Sequence, residues 1–89
     1  MLKGYVYILK SKRDNRYYVG STNDVKRRLF QHRAGKVYST RRMLPVKLIF
    51  TQEFDSLSEA RRIEKRIKKF KNRQVIDKIV QEGRINLGP

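Results

Sequence analysis

Four side chains in this sequence of 89 residues have types and spacings that could support acid–base and phosphate chemistry. Arg28 and His32 stand four positions apart, so a helix would bring them to the same side, one turn from each other. The guanidinium of Arg28 could hold a phosphate, and the imidazole of His32 could move a proton near neutral pH. The phenols of Tyr7 and Tyr18 could accept a proton or orient a water. The adjacent Arg27 would face solvent on the same helix, whereas the alternative for Arg28 is that its aliphatic part only covers the edge of the core.

A fifth candidate, Glu64, is an acidic residue within a strongly basic stretch, SEARRIEKRIKKF. At about 100° per residue, Glu64 falls about 60° from the centre of the apolar stripe of this predicted helix. The other charged residues between Arg61 and Lys69 fall further from that centre. Glu64 could therefore be a metal ligand that faces the same site as Arg28. The alternative is a structural ion pair with Lys68, four residues further on, or with an arginine elsewhere.

The chain around Arg28 predicts a strand, a tight junction and a short helix. Aromatic and β-branched residues favour a strand over residues 17–19, and Gly20 ends this strand or lets the backbone approach a ligand. Asn23-Asp24 provides suitable N-cap residues, and Gly35 is a suitable C′ residue for the helix between them. Strand, junction and helix would together position Arg28.

The sequence GYVYILK, which starts at residue 4, alternates with a period of two and predicts the first strand. If Asp14-Asn15 forms a two-residue hairpin loop, Tyr7 would lie opposite Thr22. Residues opposite each other in an antiparallel pair point to the same face. Tyr7, Tyr18 and Gly20 would then share one face, either as simple packing or as a shallow site with two phenolic hydroxyls.

A connection and a third strand follow the first helix. Residues 36–45 have no strong period, and their hydroxyls and charges suit phosphate contacts. The alternative is a solvated connection that contains one helical turn. Residues 46–54 alternate and predict the third strand, with Val46, Leu48 and Phe50 on its inner face.

Two further helices complete the predicted domain. A capping box that begins at Ser56 precedes a helix over residues 57–70, with one apolar stripe for the sheet. A last helix follows over roughly residues 73–82. We therefore expect one domain over residues 1–83 and a loose tail over residues 84–89.

Positive charge is the strongest global feature of the chain. Lys and Arg number 23 and Asp and Glu number 8, which gives a net charge of +15. Such an excess favours a polyanion, most often nucleic acid. A membrane surface is less suitable, because no basic amphipathic segment presents large apolar side chains. The candidate contacts to nucleic acid are Lys26, Arg27, Lys36, Ser39, Thr40, Arg41, Arg42 and Lys68.

Composition also excludes several kinds of site and sets the expected compartment. The chain has no cysteine, so disulfides, cysteine metal sites and cysteine nucleophiles are excluded. No apolar run approaches the roughly 20 residues of a membrane span, and no signal-peptide pattern is visible. We expect a cytoplasmic protein.

These residues together resemble the GIY-YIG nuclease family, and in particular its small stand-alone bacterial members. The first signature of the family corresponds to Tyr5-Val6-Tyr7 and the second to Tyr18-Val19-Gly20, with 11 positions between the two signature tyrosines. Tyr5 departs from the pattern, because glycine is usual there. The helix arginine of the family matches Arg28, the histidine or tyrosine four residues later matches His32, and the metal-binding glutamate matches Glu64.

The resemblance implies an α+β fold: a three-stranded antiparallel sheet flanked by helices, in the order β-β-α-β-α-α. It also implies a divalent-metal-dependent phosphodiesterase that uses Mg²⁺ or Mn²⁺ held by Glu64. Arg28 would neutralise charge on the phosphate, and His32 would relay protons. Either Tyr7 or Tyr18 would act as the base, which requires Arg28 or the metal to lower a pKa that is normally near 10.

Three functions remain open from the sequence. The first is an endonuclease that acts on DNA, in repair or recombination, as a monomer or weak oligomer. The second is a nucleic-acid-binding module that keeps the nuclease scaffold but has little or no activity alone. The third is a basic RNA-associated structural protein, for which the sequence carries no aromatic RNA-binding signature. The complete set of signature residues favours the first.

Overall fold

A computed structural model describes residues 2–87 of the chain and shows the expected six strands and helices in the expected order. Between the first helix and the third strand, the structure adds a short 3₁₀ helix where the sequence has no strong period. The elements are β1 (Gly4–Ser11), β2 (Tyr17–Thr22), α1 (Val25–Arg33), the 3₁₀ helix (Tyr38–Met43), β3 (Val46–Phe54), α2 (Leu57–Lys69) and α3 (Arg73–Glu82).

The three strands form one antiparallel sheet in the order β2-β1-β3, so β1 is central and β2 and β3 are the edges. The predicted fold class, an antiparallel sheet flanked by helices, is confirmed. None of the helices within residues 2–87 is both long and apolar enough to cross a membrane.

Each face of the sheet carries its own apolar cluster, as the alternation of β1 predicts. On one face, which we call the α2/α3 face, Val6 and Ile8 pack with Ala60 of α2 and Ile79 of α3. On the other, which we call the α1 face, Tyr7 and Leu9 pack with Met43 and Val46, and Leu29 of α1 covers part of this cluster. The central strand is therefore buried on both sides, and α1 and α2 lie on opposite sides of the sheet.

The β1–β2 hairpin has a longer loop than the sequence suggested. Tyr7 lies opposite Gly20 rather than opposite Thr22. The loop is wider because the Ser11 hydroxyl organises it: Ser11 Oγ accepts from the backbone N–H of Arg13 and donates to the carbonyl of Met43. The register moves by two residues, so the parity is unchanged and Tyr7 and Tyr18 share a face as expected. Strand β2 also continues through Gly20 instead of ending there.

A β-bulge in β3 corrects the predicted inner face of that strand. Ile8 pairs with Phe50 and the next residue, Leu9, pairs with Leu48, so Ile49 is an extra residue in the ladder. Val46 and Leu48 therefore join the cluster on the α1 face, while Phe50 joins the cluster on the α2/α3 face. The prediction that all three share one face is wrong, because alternation alone cannot show a bulge.

The C-terminal segment is more ordered than predicted within the described residues. Ile85 donates its backbone N–H to Gln52 Oε1 at 2.8 Å, and Ile85 and Leu87 pack against the cluster on the α2/α3 face. The predicted loose tail is therefore wrong for residues 84–87, because two apolar side chains anchor it, and residues 88–89 lie outside the described chain. Phe70, the C-cap of α2, is half exposed.

Gly20 allows a side chain of the central strand to reach the edge of the sheet. A Cβ atom built on Gly20 would lie 2.5 Å from both Cζ and the hydroxyl oxygen of Tyr7. The ring of Tyr7 therefore passes directly over the backbone of β2, and the missing side chain of Gly20 provides the space. This close approach brings a phenol from a buried strand to the outer side of β2.

We predict that Gly20→Ala lowers the free energy of unfolding by about 1–3 kcal/mol, because the Tyr7 ring must move to accommodate the new methyl group. The control is the same substitution in a Tyr7→Leu background, where the atoms that clash are absent. Denaturant unfolding of the four proteins of this double-mutant cycle measures the coupling. If Gly20→Ala lowers the free energy of unfolding equally in both backgrounds, the Tyr7 ring is not the reason that glycine is required at this position.

Candidate active site

A polar hollow of about 290 Å³ lies at the outer edge of β2, and side chains from both sides of the sheet line it. Arg28 comes from α1, on one side, and Glu64 comes from α2, on the other. The two helices can meet here because β2 is an edge strand and its Gly20 leaves the rim open. We call this hollow the active pocket, and its lining residues are Tyr7, Tyr18, Gly20, Ser21, Arg28, Arg61, Glu64 and Lys65.

Helix α1 positions Arg28 and His32 as the sequence predicts. Asp24 is the N-cap, and its carboxylate accepts the backbone N–H of Arg27 at 3.0 Å. The first turn then directs Arg27 to solvent and leaves Arg28 partly buried at the pocket. One turn later His32 is fully buried against the sheet. The Arg28 guanidinium donates to Gln31 Oε1 at 2.9 Å, which holds it in place.

A buried chain of hydrogen bonds runs from the active pocket into the interior. The hydroxyl of Tyr7 lies 2.7 Å from His32 Nε2, and His32 Nδ1 lies 2.7 Å from Thr40 Oγ1. Thr40, which is fully buried, donates its hydroxyl proton to the carbonyl of Val37 over 3.4 Å. We call this the Tyr7–His32–Thr40 chain.

The contacts of Thr40 assign the protons along this chain. We assign the imidazole proton to Nδ1, because Thr40 Oγ1 can then accept from His32 and still donate to the carbonyl of Val37. Nε2 is then the acceptor, and the Tyr7 hydroxyl donates to it. The oxygen of Tyr7 keeps free lone pairs, which a group in the active pocket can use.

Burial shifts the pKa values at both ends of the Tyr7–His32 bond and keeps both groups neutral. Burial raises the pKa of Tyr7 to about 12, and the positive charge of Arg28 offsets only part of this effect. Burial, with a smaller contribution from Arg28, lowers the pKa of His32 to about 4. Arg28 therefore lowers the pKa of Tyr7 as expected, through a hydrogen bond and its charge, but not enough to offset burial, and the resting proton stays on the phenol.

The second tyrosine of the pocket, Tyr18, packs edge-on against the same imidazole. Its ring centroid lies 5.2 Å from that of His32 and 6.3 Å from that of Tyr7. The ammonium nitrogen of Lys68 lies over the Tyr18 ring, 5.5 Å from the ring centroid. Unlike Tyr7, Tyr18 has no imidazole acceptor for its proton, so the two tyrosines are chemically distinct.

Glu64 reaches the pocket from α2, and both of its carboxylate oxygens have partners. Oε1 accepts the hydroxyl of Ser21, and Oε2 lies 2.6 Å from the ammonium nitrogen of Lys68. The ion pair with Lys68 that the sequence offered as the alternative is therefore present, and Glu64 also lines the active pocket beside Arg28. The two interpretations are compatible.

The donor groups of the pocket fit one kind of metal ion. Within residues 2–87, no three side chains of His, Cys, Asp or Glu converge to form a protein cage. A single carboxylate beside a hydroxyl suits Mg²⁺ or Mn²⁺, since Mg²⁺ usually keeps several waters and takes its other ligands from substrate phosphates. Glu64, with Ser21 beside it, is the group that would hold such an ion.

The predicted contacts to nucleic acid fall into three groups. Arg27 lines a second polar hollow next to the active pocket, and Lys68 lines an apolar cleft on its other side. Lys26 is exposed on α1. The connection after α1 exposes four further candidates that do not line the active pocket: Lys36, Ser39, Arg41 and Arg42. The prediction that Thr40 contacts nucleic acid is wrong, because Thr40 is fully buried and hydrogen-bonded to His32.

Sequence reasoning missed three polar residues of the pocket. Ser21 follows the second signature and points to the α2/α3 face, where it meets Glu64. Arg61 lies three residues before Glu64, and Lys65 directly follows it. The spacing of Arg61 on the predicted helix could have found it, because residues three apart are neighbours on a helix surface. Ser21 could be found only from the register of the edge strand against α2.

Comparison with known protein families supports the resemblance that the signatures suggested. The family model described as the GIY-YIG catalytic domain matches residues 3–77, which is most of the chain and the range in which the five candidate residues lie. The chain belongs to the GIY-YIG family. The GIY-YIG fold is a nuclease fold, so an endonuclease-type function on nucleic acid is supported at the level of the family.

Individual relatives place the chain among small GIY-YIG proteins. It is 47% identical over 73 residues to a UPF0213 protein of Streptococcus pneumoniae, which covers 81% of this chain and 73% of that protein. It is 43% identical to the UPF0213 protein SH2523 of Staphylococcus haemolyticus, over 92% of this chain and 99% of the relative.

A solved structure agrees with the fold. The solution NMR structure of the UPF0213 protein BH0048 from Bacillus halodurans superposes with a TM-score of 0.57 at 38% identity. The match covers 91% of this chain and 86% of that one. The family and the fold class predicted from sequence are both confirmed.

We predict that burial of neutral His32 makes the protein less stable as the pH falls. The pKa of His32 is about 4 in the folded protein and near 6.5 in the unfolded chain. Between pH 4 and pH 6.5 the unfolded chain therefore binds more protons than the folded protein. This contribution is complete above about pH 6.5 and is lost towards pH 4, and it amounts to about 3 kcal/mol.

The measurement compares the free energy of unfolding as a function of pH in the wild type and in His32→Gln. The carboxylates titrate in both proteins, so their contribution cancels in the difference. His32 is the only histidine of the chain, so ¹⁵N NMR of one imidazole also reports its pKa and its tautomer directly. A folded protein whose imidazole titrates near pH 6.5, or carries its proton on Nε2, would contradict the assignment.

Proposed function

We propose that this GIY-YIG protein is a divalent-metal-dependent endonuclease that hydrolyses phosphodiester bonds of DNA. The observation that best supports the proposal is that α1 and α2 bring Arg28 and Glu64 to one pocket, beside the end of the Tyr7–His32–Thr40 chain. Cleavage of a phosphodiester needs an attacking water, relief of charge on the phosphate and a path for a proton. This pocket contains a group suited to each.

Positive charge in the active pocket favours a phosphate. Arg28, Arg61 and Lys65 line it together with one carboxylate. Arg28 is held by Gln31 and partly buried, so its guanidinium can donate to a phosphate oxygen with little loss of side-chain freedom. The same charge stabilises the additional negative charge that develops as the phosphate is attacked. Binding and catalysis therefore use one group.

Tyr7 is the group that we propose to accept a proton from the attacking water. As the phenol oxygen takes this proton, its own proton passes to His32 Nε2, which lies 2.7 Å away. Thr40 keeps the proton of the imidazole on Nδ1 and leaves Nε2 free to accept. Since the pKa of Tyr7 is about 12 and that of His32 about 4, the transfer does not occur in the resting site. It requires the charges of the reacting phosphate.

A Mg²⁺ or Mn²⁺ held by Glu64 would supply Lewis-acid stabilisation of charge on the phosphate oxygens. The hydroxyl of Ser21 orients the carboxylate from the side of β2. Tyr18 supports the imidazole from its edge and presents its own hydroxyl to the pocket, where it can orient the water or the phosphate.

A nucleic-acid-binding module with little activity alone is the second candidate. The observation that favours it is that both oxygens of Glu64 already have protein partners, Ser21 and Lys68. If these contacts persist when nucleic acid binds, the pocket would hold a phosphate without a metal.

We predict that Glu64→Gln separates the two functions. A neutral amide is a poor Mg²⁺ ligand, so metal-dependent cleavage should fall by orders of magnitude. DNA affinity should stay or rise, because a negative charge near the phosphate is removed. Thermal stability should change little, since the pair with half-exposed Lys68 at i,i+4 contributes only about 0.5 kcal/mol.

Glu82→Gln is the matched control, because Glu82 also pairs with a lysine four residues away on a helix, Lys78, outside the active pocket. The assay uses labelled single-stranded, nicked, branched and duplex DNA, and the corresponding RNA, with Mg²⁺, Mn²⁺ or EDTA. Cleavage that survives Glu64→Gln would remove Glu64 from the mechanism. A wild type that binds all of these substrates and cleaves none would favour the binding module.

A further inference from the structure

An apolar cleft of about 390 Å³ adjoins the active pocket and has no role in the chemistry described above. It lies between the start of β2 and the junction of α2 and α3. Ile67 and Ile76 form its apolar part, and Tyr17 and Tyr18 of the edge strand contribute aromatic rings. Tyr18 also lines the active pocket, so the two hollows adjoin at this residue. We call this hollow the β2–α3 cleft.

Cations surround the apolar surface of this cleft. Arg16, Lys68, Lys71 and Arg73 line it, and all four residues are exposed. No carboxylate belongs to its lining. Three of these cations pair with carboxylates outside the lining, Arg16 with Asp14, Lys68 with Glu64 and Arg73 with Asp77. The rim therefore keeps a net positive charge through Lys71, and an apolar cleft with a positive rim matches a ligand that is flat and apolar in its centre and is linked to negative charge.

The aromatic wall of the cleft is rigid. The guanidinium carbon of Arg73 lies 4.2 Å from the ring centroid of Tyr17, and Arg73 donates to the carbonyl of Asn15 at 2.6 Å. The Tyr17 hydroxyl donates to Asp77. These contacts fix the ring before any ligand arrives, so binding costs little side-chain entropy.

The hollow on the opposite side of the active pocket has a different character. It has a volume of about 510 Å³, and Asn23, Arg27 and Gln31 are among its lining residues. It shares Arg28 and Arg61 with the active pocket. The edge of β2 thus carries three adjoining hollows, polar and basic towards its C-terminal end and apolar with a basic rim towards its N-terminal end. The polar end suits phosphates and sugars, and the apolar end suits a base.

We propose that the β2–α3 cleft binds an unpaired nucleobase next to the phosphodiester held in the active pocket. The base lies against Ile67, Ile76 and the two tyrosines, and the cations at the rim contact its flanking phosphates. A base in a duplex is stacked and paired, so it must leave the helix to enter the cleft. The proposal rests on the proposed function and narrows its substrate to strands that are single, or unpaired at this position.

Photo-crosslinking tests the occupant without requiring cleavage. A single-stranded oligonucleotide that contains 5-iodouracil is bound to the wild-type protein in EDTA, irradiated, and mapped by mass spectrometry. We expect a crosslink at Tyr17, which lines the cleft but not the active pocket. Crosslinks at Tyr18 without Tyr17 would overturn the proposal, because Tyr18 lines both hollows. Crosslinks confined to the exposed aromatics Phe30 and Tyr38 on the α1 side would overturn the proposal. Because EDTA prevents any metal-dependent step, a protein that proves to have no nuclease activity still gives a clear result here.

A charge-matched pair of variants separates the cleft from general electrostatic attraction. Lys71→Ala with Arg73→Ala removes two cations from the rim, and Lys47→Ala with Arg66→Ala removes two exposed cations that do not line the cleft. We expect the first variant to lose both crosslink yield in the cleft and affinity for single strands. Each loss should be at least fivefold larger than the loss in the second variant. Equal losses in the two variants would overturn the proposal, as would duplex DNA that competes as well as the single strand.

Discussion

The hydrogen bond between the Tyr7 hydroxyl and His32 Nε2 is the interaction on which the site depends. It joins the central strand to α1 over 2.7 Å in the interior, and it exists only because the Tyr7 ring can cross β2 above Gly20. The bond therefore sets requirements on three elements at once: a glycine in the edge strand, a helix that follows it closely, and a buried acceptor at the end of that helix. Thr40 completes the arrangement by holding the other imidazole nitrogen.

A buried imidazole is stable in this position because each polar atom has a partner. Within residues 2–87, no buried side-chain nitrogen or oxygen lacks a hydrogen bond. Satisfied polar groups in an apolar surrounding keep their protons fixed, and the low pKa of His32 is the electrostatic consequence of the same burial. The residues under the α1 face thus have two roles: they pack against the sheet, and through His32 Nε2 they supply an acceptor whose lone pair points at the hydroxyl of Tyr7.

Sequence patterns predicted the parts of this structure that depend on local order. The helices, the caps at Asp24 and Ser56, and the shared face of Tyr7 and Tyr18 all follow from spacing and propensity. The features that the sequence patterns did not predict depend on contacts between distant segments. The bulge at Ile49, the burial of Thr40 and the partnership of Ser21 with Glu64 each involve a neighbour from another element. An exposed hydroxyl and a buried one look alike in a sequence, because only tertiary packing distinguishes them.

The proposed metal site requires Glu64 to exchange one of its two protein partners for the ion. Its partner Lys68 is half exposed, and an ion pair of this kind contributes no more than about 1 kcal/mol. In the proposed mechanism Glu64 would exchange the ammonium group of Lys68 for the ion, and the exposure of Lys68 lowers the cost of this exchange because the released ammonium group returns to water. Lys68, once released, already lies between the active pocket and the β2–α3 cleft, above the ring of Tyr18. The same weak pair that orients the carboxylate thus leaves a cation positioned beside the path of a nucleic-acid strand.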